Sequence, residues 1–442
     1  MTYSISSAFD WSRIRRLAGE GGWIVFGQIA AVLGALVLVR VLTEYLEPHQ
    51  YGQLALSLTV AGLVNGVLMG WTTNGITRFY SIAAEKQDLS GYLLASRRLL
   101  IYATAAVVAV GLMLMAGLLW LGYSRWLGLV FAVLVFSLLS GYNDTLNGIQ
   151  NAARQRKIVA FHGGLNAWLK ILLVLGMLLW LGKSSLAVAI GFALSTLFVT
   201  VSQYIFLRRL ILGQTVTSGD DTLWMRQIWA YSWPFITWGI FGWAQQSSAR
   251  WALESYTTTA DVGRYAVLSQ LGYTPILTAT SLGITFLAPI IFARAGDASS
   301  SARNEDVRDL THKLALVGLV LTGCACISAY FLHTYIFRFL TNEDYHSVSN
   351  YLPWVVLSGG IFAVAQVYAM RLMALMKPKS MLLASIGSSI IGISSAFIGV
   401  YHYNLQGAVA STFIHAVSYL LLILSAVYTS SGKQSSNDLD LL

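Results

Sequence analysis

The chain has 442 residues, of which 56% are hydrophobic and only 11% charged, with a mean hydropathy of +0.64. Soluble domains carry about a quarter charged residues, so this composition excludes a water-soluble globular protein and makes lipid the solvent. The 28 Lys and Arg against 19 Asp and Glu leave a formal charge of +9, which asks for a topological explanation before a nucleic-acid one.

Crossing hydrocarbon takes about 20 mostly apolar residues. Arg13, Arg15 and Arg16 precede the first such run, Trp23–Leu42, which is span-length and lacks a small-residue cleavage site, so it reads as a retained span and not a signal peptide. Eleven more runs follow: Leu54–Ile76, Leu99–Leu121, Leu127–Gly148, Ile158–Leu181, Leu186–Phe206, Ile228–Ala249, Tyr265–Phe292, Leu314–Phe337, Leu352–Met376, Met381–Tyr401 and Gly407–Tyr428. Alternating them from a cytoplasmic N-terminus puts twenty of the 28 Lys and Arg on the cytoplasmic side and only Arg125, Lys183, Arg264 and Arg338 at outer loops. A span too many or too few would invert the later loops and spoil that segregation. The expectation is a multi-pass membrane protein with both termini cytoplasmic and no nucleic-acid partner.

An internal repeat is visible across the runs. Arg40-Val-Leu-Thr-Glu44 ends the first and Arg250-Trp-Ala-Leu-Glu254 the seventh, and the next run opens near Gly52 or Gly263, twelve or thirteen residues after the arginine. The fourth exits through Arg154-Gln-Arg156 and the tenth through Lys377-Pro-Lys379. Six spans per half is an even number, so the halves share an orientation. The fold class is therefore all-α integral membrane, twelve transmembrane helices in two six-helix bundles related by a pseudo-two-fold axis along the membrane normal. Residues 1–213 form the first bundle, 214–223 a cytoplasmic linker and 224–442 the second.

Polar groups within spans are costly and therefore informative. His162, Asn166 and Lys170 lie at i, i+4 and i+8 on one helix face, with Lys170 near the midplane where snorkelling reaches poorly. The stripe lines a wet cavity or makes a structural ion pair. Asn143, Asp144 and Asn147 stand in the fourth span, Gln366 and Arg371 at a corresponding depth in the tenth. Asp144 neutralises Lys170 or Arg371, or exchanges a proton as the ion-coupling residue. Arg40 and Arg250 fit either i,i+4 pairs with their glutamates or two matched guanidinium groups for an anion. Arg78 is a topological anchor or a ligand, and His415 a satisfied core histidine. Cys324 and Cys326 are two apart, on different helix faces, and read as packing residues. No Walker A pattern or H-E-x-x-H occurs and the loops are short, so an enzyme, a cofactor and a metal site are not expected.

The Leu42-Thr-Glu-Tyr-Leu-Glu-Pro-His-Gln-Tyr-Gly52-Gln-Leu-Ala-Leu turn, with Asn74-Gly-Ile-Thr-Arg78-Phe and the second-half counterpart Gly263 to Pro289, resembles the Wzx-type polysaccharide repeat-unit flippases. Their superfamily also holds multidrug extruders and peptidoglycan-precursor flippases. The resemblance implies alternating access through a cationic central cavity. It implies a cargo of oligosaccharide linked through pyrophosphate to a polyprenyl lipid, moved to the outer leaflet for O-antigen or exopolysaccharide synthesis. A polysaccharide polymerase and a chain-length regulator are the further partners it suggests. Lys170, Asn166, His162, Arg371, Arg40, Arg250, Arg78, Asn143, Asn147 and Gln366 are the candidate substrate residues, with Gln245 and Gln246 as further amide surface. A multidrug antiporter, a peptidoglycan-precursor flippase and a membrane-embedded polymerase are the alternatives.

Overall fold

The computed structural model describes residues 11–211, 221–296 and 300–439. Every element among them is helical, as lipid requires when each backbone N–H and C=O must be satisfied within its own segment. The first half comprises α1 (Trp11–Tyr45), α2 (Pro48–Leu63), a π-helical turn at Val64–Met69, α3 (Gly70–Glu85), α4 (Leu89–Trp120), α5 (Leu127–Ala152), α6 (Arg156–Leu181) and α7 (Ser185–Ile211). The second comprises α8 (Asp221–Ser232), α9 (Pro234–Tyr256), α10 (Thr259–Ala295), α11 (Ser301–Leu340), α12 (Leu352–Ala374) and α13 (Pro378–Leu439).

Ten helical stretches are long and apolar enough to cross a membrane. The last, Lys379–Thr429, has 51 residues, more than one crossing needs. Asn404, at φ 50° and ψ −130°, breaks it, and Gly399 meets Gly407 across the break, so it folds back as two spans. α9 supplies the remaining crossing, its hydropathy diluted by Gln245, Gln246, Arg250 and Glu254. The twelve crossings read from the sequence are present, in two six-helix bundles.

One expected boundary is corrected. The sequence starts the seventh run at Ile228, whereas Ile228 belongs to α8, and the helix is interrupted before Pro234. A proline has no N–H to give the preceding turn, so it starts a helix well and continues one badly. α8 instead lies on α3 and α4: Arg98 pairs with Asp221 at 2.7 Å, and Trp224 Nε1 donates to Asp88 Oδ2 at 2.7 Å. Of the expected linker, residues 214–220 lie outside the described residues, as do both termini.

The repeat is also written in the turns. α3, α5 and α12 each end two residues before a residue of positive φ, namely Gln87 (55°), Arg154 (59°) and Met376 (58°), and the next helix begins two residues later. Each turn carries the same pair of bonds, for example Gln155 N to Gln150 O at 2.8 Å and Arg154 N to Asn151 O at 3.0 Å, which is the Schellman arrangement that satisfies terminal carbonyls. The fourth turn that a strict repeat requires, after α10, uses Gly296 at φ 59° instead.

The halves meet through a reciprocal glycine contact. A Cβ at Gly52 would stand 1.8 Å from the Thr259 carbonyl oxygen, and one at Gly263 2.0 Å from that of Pro48. Each repeated glycine thus lets its helix press on the first turn of the opposite one, and α2 crosses α10 at backbone contact. We call this end of the molecule the Pro48 end. There Tyr345 donates to the Leu46 carbonyl at 2.8 Å, and the largest buried apolar cluster joins both bundles. A second cluster, around Trp71, Ile76, Tyr92, Trp224 and Ile228, fastens α8 at the opposite end.

Candidate functional site

Lys170 of α6 and Arg250 of α9, from opposite bundles, line one cavity of about 200 Å³ together with Tyr51, Phe192 and Gln270. The Lys170 ammonium sits 5.1 Å from the ring centroid of Phe192 and 5.6 Å from that of Phe136, which stabilises it through the ring quadrupoles. Among the described residues no carboxylate stands at ion-pair distance from it. Arg250 Nη1 reaches the Ala55 carbonyl at 3.5 Å, while its Nε is buried without a hydrogen-bond partner. Two cations that share a space with no anion in its lining leave it short of negative charge.

Arg250 also borders a larger cavity, about 440 Å³, within the second bundle, where Gln245, Gln246 and Gln366 stand with serine and threonine hydroxyls and several rings. A third cavity, about 250 Å³, holds Asp144 opposite Trp238, with Asn65, Thr73 and Asn74 around it. The π-helical turn Val64–Met69 forms part of its wall; such turns recur at functional sites because they break the regular hydrogen-bond ladder. Arg250 borders the first and second cavities and Trp238 the second and third, so the three adjoin one another in series.

The other candidate residues fall elsewhere. Asn143 and Asn147 belong to a buried amide network with Gln150 and Gln203 that joins α5 to α7: Asn143 Nδ2 donates to Gln203 Oε1 at 2.7 Å, Asn147 Nδ2 to Asn143 Oδ1 at 3.1 Å and Gln203 Nε2 to Gln150 Oε1 at 2.9 Å. His162 is 1% exposed; its Nδ1 donates to the Ile158 carbonyl at 2.8 Å, so Nε2 accepts from Ser202 at 3.1 Å. Its stripe partner Asn166 keeps an unpartnered buried Oδ1. Arg371 is buried near the end of α12, with Nε unpartnered, and lines none of the three cavities. Arg78 is exposed on α3. Arg40 pairs with Glu44 at 2.9 Å and also donates to the Thr341 carbonyl at the end of α11, while Glu254, its counterpart's expected partner, accepts instead from Thr259 Oγ1 at 3.1 Å.

Sequence reasoning missed Gln203, a single amide hidden in an apolar run, and the cavity position of His415. The signal for Gln203 was the cost of an amide in lipid, which a polar neighbour must offset. His415 is bonded, its Nδ1 to the Ser388 carbonyl at 3.2 Å, but it also lines the largest of the three cavities.

A family model described as "Polysaccharide biosynthesis protein" matches residues 17–294. No curated protein matches. Among solved structures, the chain is similar to the lipid II flippase MurJ in an inward closed conformation (TM-score 0.69, 13% identity, covering 92% of this chain and 87% of that one). It is similar also to an inward-facing multidrug resistance MATE family transporter of the MOP superfamily (0.65, 14%, 92% and 95%) and to a MOP superfamily transporter from Pyrococcus furiosus (0.63, 13%, 94% and 96%). Identities this low show a shared fold.

Proposed function

Because the chain belongs to the polysaccharide biosynthesis protein family, we propose that it flips a polyprenyl-pyrophosphate-linked oligosaccharide repeat unit from the cytoplasmic to the outer leaflet for O-antigen or exopolysaccharide assembly. The observation that carries this reading is the chamber shared by Lys170 and Arg250, which has two cations and no carboxylate in its lining. A bare pyrophosphate in hydrocarbon meets a solvation cost of tens of kcal/mol. A wet cationic chamber between the bundles replaces its water shell, while the polyprenyl tail stays in lipid.

In this reading residues 1–213 and 224–442 rock about the chamber, with both termini in the cytoplasm of a bacterial inner membrane, and deliver cargo to a polysaccharide polymerase and its chain-length regulator. An inside-negative potential assists outward movement by about 2.3 kcal/mol per charge per 100 mV. Asp144, facing its own cavity, is the residue through which a coupling cation acts. Reconstitution into liposomes with a labelled lipid-linked oligosaccharide tests the proposal: protein-dependent arrival in the far leaflet is expected, and none at all rejects it. The Asp144 cavity also suits a cation, so a drug antiporter is the second reading. Drug-stimulated proton flux in vesicles that move no oligosaccharide lipid would place it first.

A further inference from the structure

We propose that the cargo's glycan is held apart from its phosphates, in the hydroxyl- and amide-lined cavity of the second bundle, against a wall formed by Phe362, His415 and Tyr419. The proposal rests on the flippase reading above and adds to it a place and a chemistry for the sugar. At about 440 Å³ the cavity lies inside the range of roughly 300 to 1,000 Å³ found for small-molecule sites. Arg250 is the one permanently charged side chain in its lining, and it stands where this cavity borders the Lys170 chamber.

Three features select an uncharged polyol. Three of the serine hydroxyl protons are already used: Ser388 and Ser389 donate to the Ser385 carbonyl at 3.0 and 2.8 Å, and Ser411 to that of Ala408 at 2.8 Å. What these hydroxyls still offer is lone pairs, which accept from sugar O–H groups and repel an anion. The rings stack with offset, Phe362 and Tyr419 with centroids 5.1 Å apart at 26° and His415 and Tyr419 at 6.3 Å and 13°, an aromatic pile that borders the cavity beside its polar atoms. His415, its Nδ1–H committed to the Ser388 carbonyl, keeps Nε2 as a further hydrogen-bonding position.

Gln366, whose Oε1 takes a long 3.5 Å bond from Tyr419, brings an amide that both donates and accepts, as paired sugar hydroxyls do. A cationic drug would find the rings but no carboxylate, with the Arg250 charge set against it. Since Arg250 borders both spaces, a ligand across them has its charged end by Lys170 and its neutral end by Phe362. That is the order of pyrophosphate and sugar along a lipid-linked oligosaccharide.

The test uses the full chain in nanodiscs and a neutral, phosphate-free trisaccharide carrying a diazirine. Saturable photolabelling within 362–366 or 411–419, competed by untagged trisaccharide and reduced about fivefold in Gln366→Leu, is expected. Labelling around Asp144 instead, competition by a cationic dye but not by sugar, or no saturable labelling overturns the proposal. In liposomes, Phe362→Ala should lower the ratio of glycosylated to sugar-free polyprenyl pyrophosphate transport about tenfold, and an unchanged ratio counts against the site. Sugar labelling in a protein that moves no lipid keeps the glycan cavity and rejects the flippase reading. Lipid movement without sugar labelling does the reverse.

Discussion

Arg40 and Arg250 occupy equivalent places in the two bundles, each four residues before a glutamate and followed by the glycine of the interface, yet they have opposite surroundings. The Arg40 side chain is 43% exposed, holds Glu44 and ties α1 to the end of α11. Arg250 leaves Glu254 to Thr259, turns inward and borders two cavities. The repeat sets backbone placement, seen in the reciprocal Gly52 and Gly263 contact, while the chemistry of a repeated side chain is decided by what faces it.

The comparison breaks most visibly at the charges. Arg250→Ala and Lys170→Ala should each reduce lipid-linked oligosaccharide transport about ten- to a hundredfold, the worth of a charge-assisted hydrogen bond to phosphate, with membrane insertion intact. Equal losses in Arg40→Ala would erase the distinction drawn here. Next in size are the glycines. Gly52→Ala places a methyl against the Thr259 carbonyl and should cost about 1 to 3 kcal/mol of overpacking, read as a lower melting temperature in detergent, and Gly263→Ala should match it if the contact is as symmetric as its geometry.

A smaller effect belongs to the amide network. Gln203→Leu strands the partners Asn143, Asn147 and Gln150 and should destabilise by about 1 to 3 kcal/mol, measured in the same melt, while transport per folded molecule holds. Smallest is Glu44→Gln, which removes an exposed i,i+4 pair worth about 0.3 to 0.5 kcal/mol. A large loss there would mean that Arg40 does more than hold the Pro48 end.

The span count was legible because lipid forces each crossing to declare itself as an apolar run, and the break at Asn404 fell between the expected Tyr401 and Gly407. The start of the seventh span was not, since α8 is amphipathic enough to extend the run and only its docking on α3 and α4 shows that it lies apart. Lys170 stood out because an ammonium in mid-span has no packing reason to be there. His162, Asn143 and Asn147 carried the same polar signal, yet each faces a neighbouring helix of its own bundle. A helical stripe gives a direction around one axis, and which neighbour fills that direction is a property of tertiary packing.

The wider winding at Val64–Met69 sets the phase of everything that follows it in the second span. Each residue turns a helix by about 100°, so a relative one residue shorter between Leu63 and Gly70 would rotate α3 by that angle. Gly75 would then no longer face Ile228 and Ser232, where its missing side chain now lets α8 settle. A single-residue deletion in that stretch is thus a rotation of the whole inner segment, and it would unseat the helix that joins the two bundles.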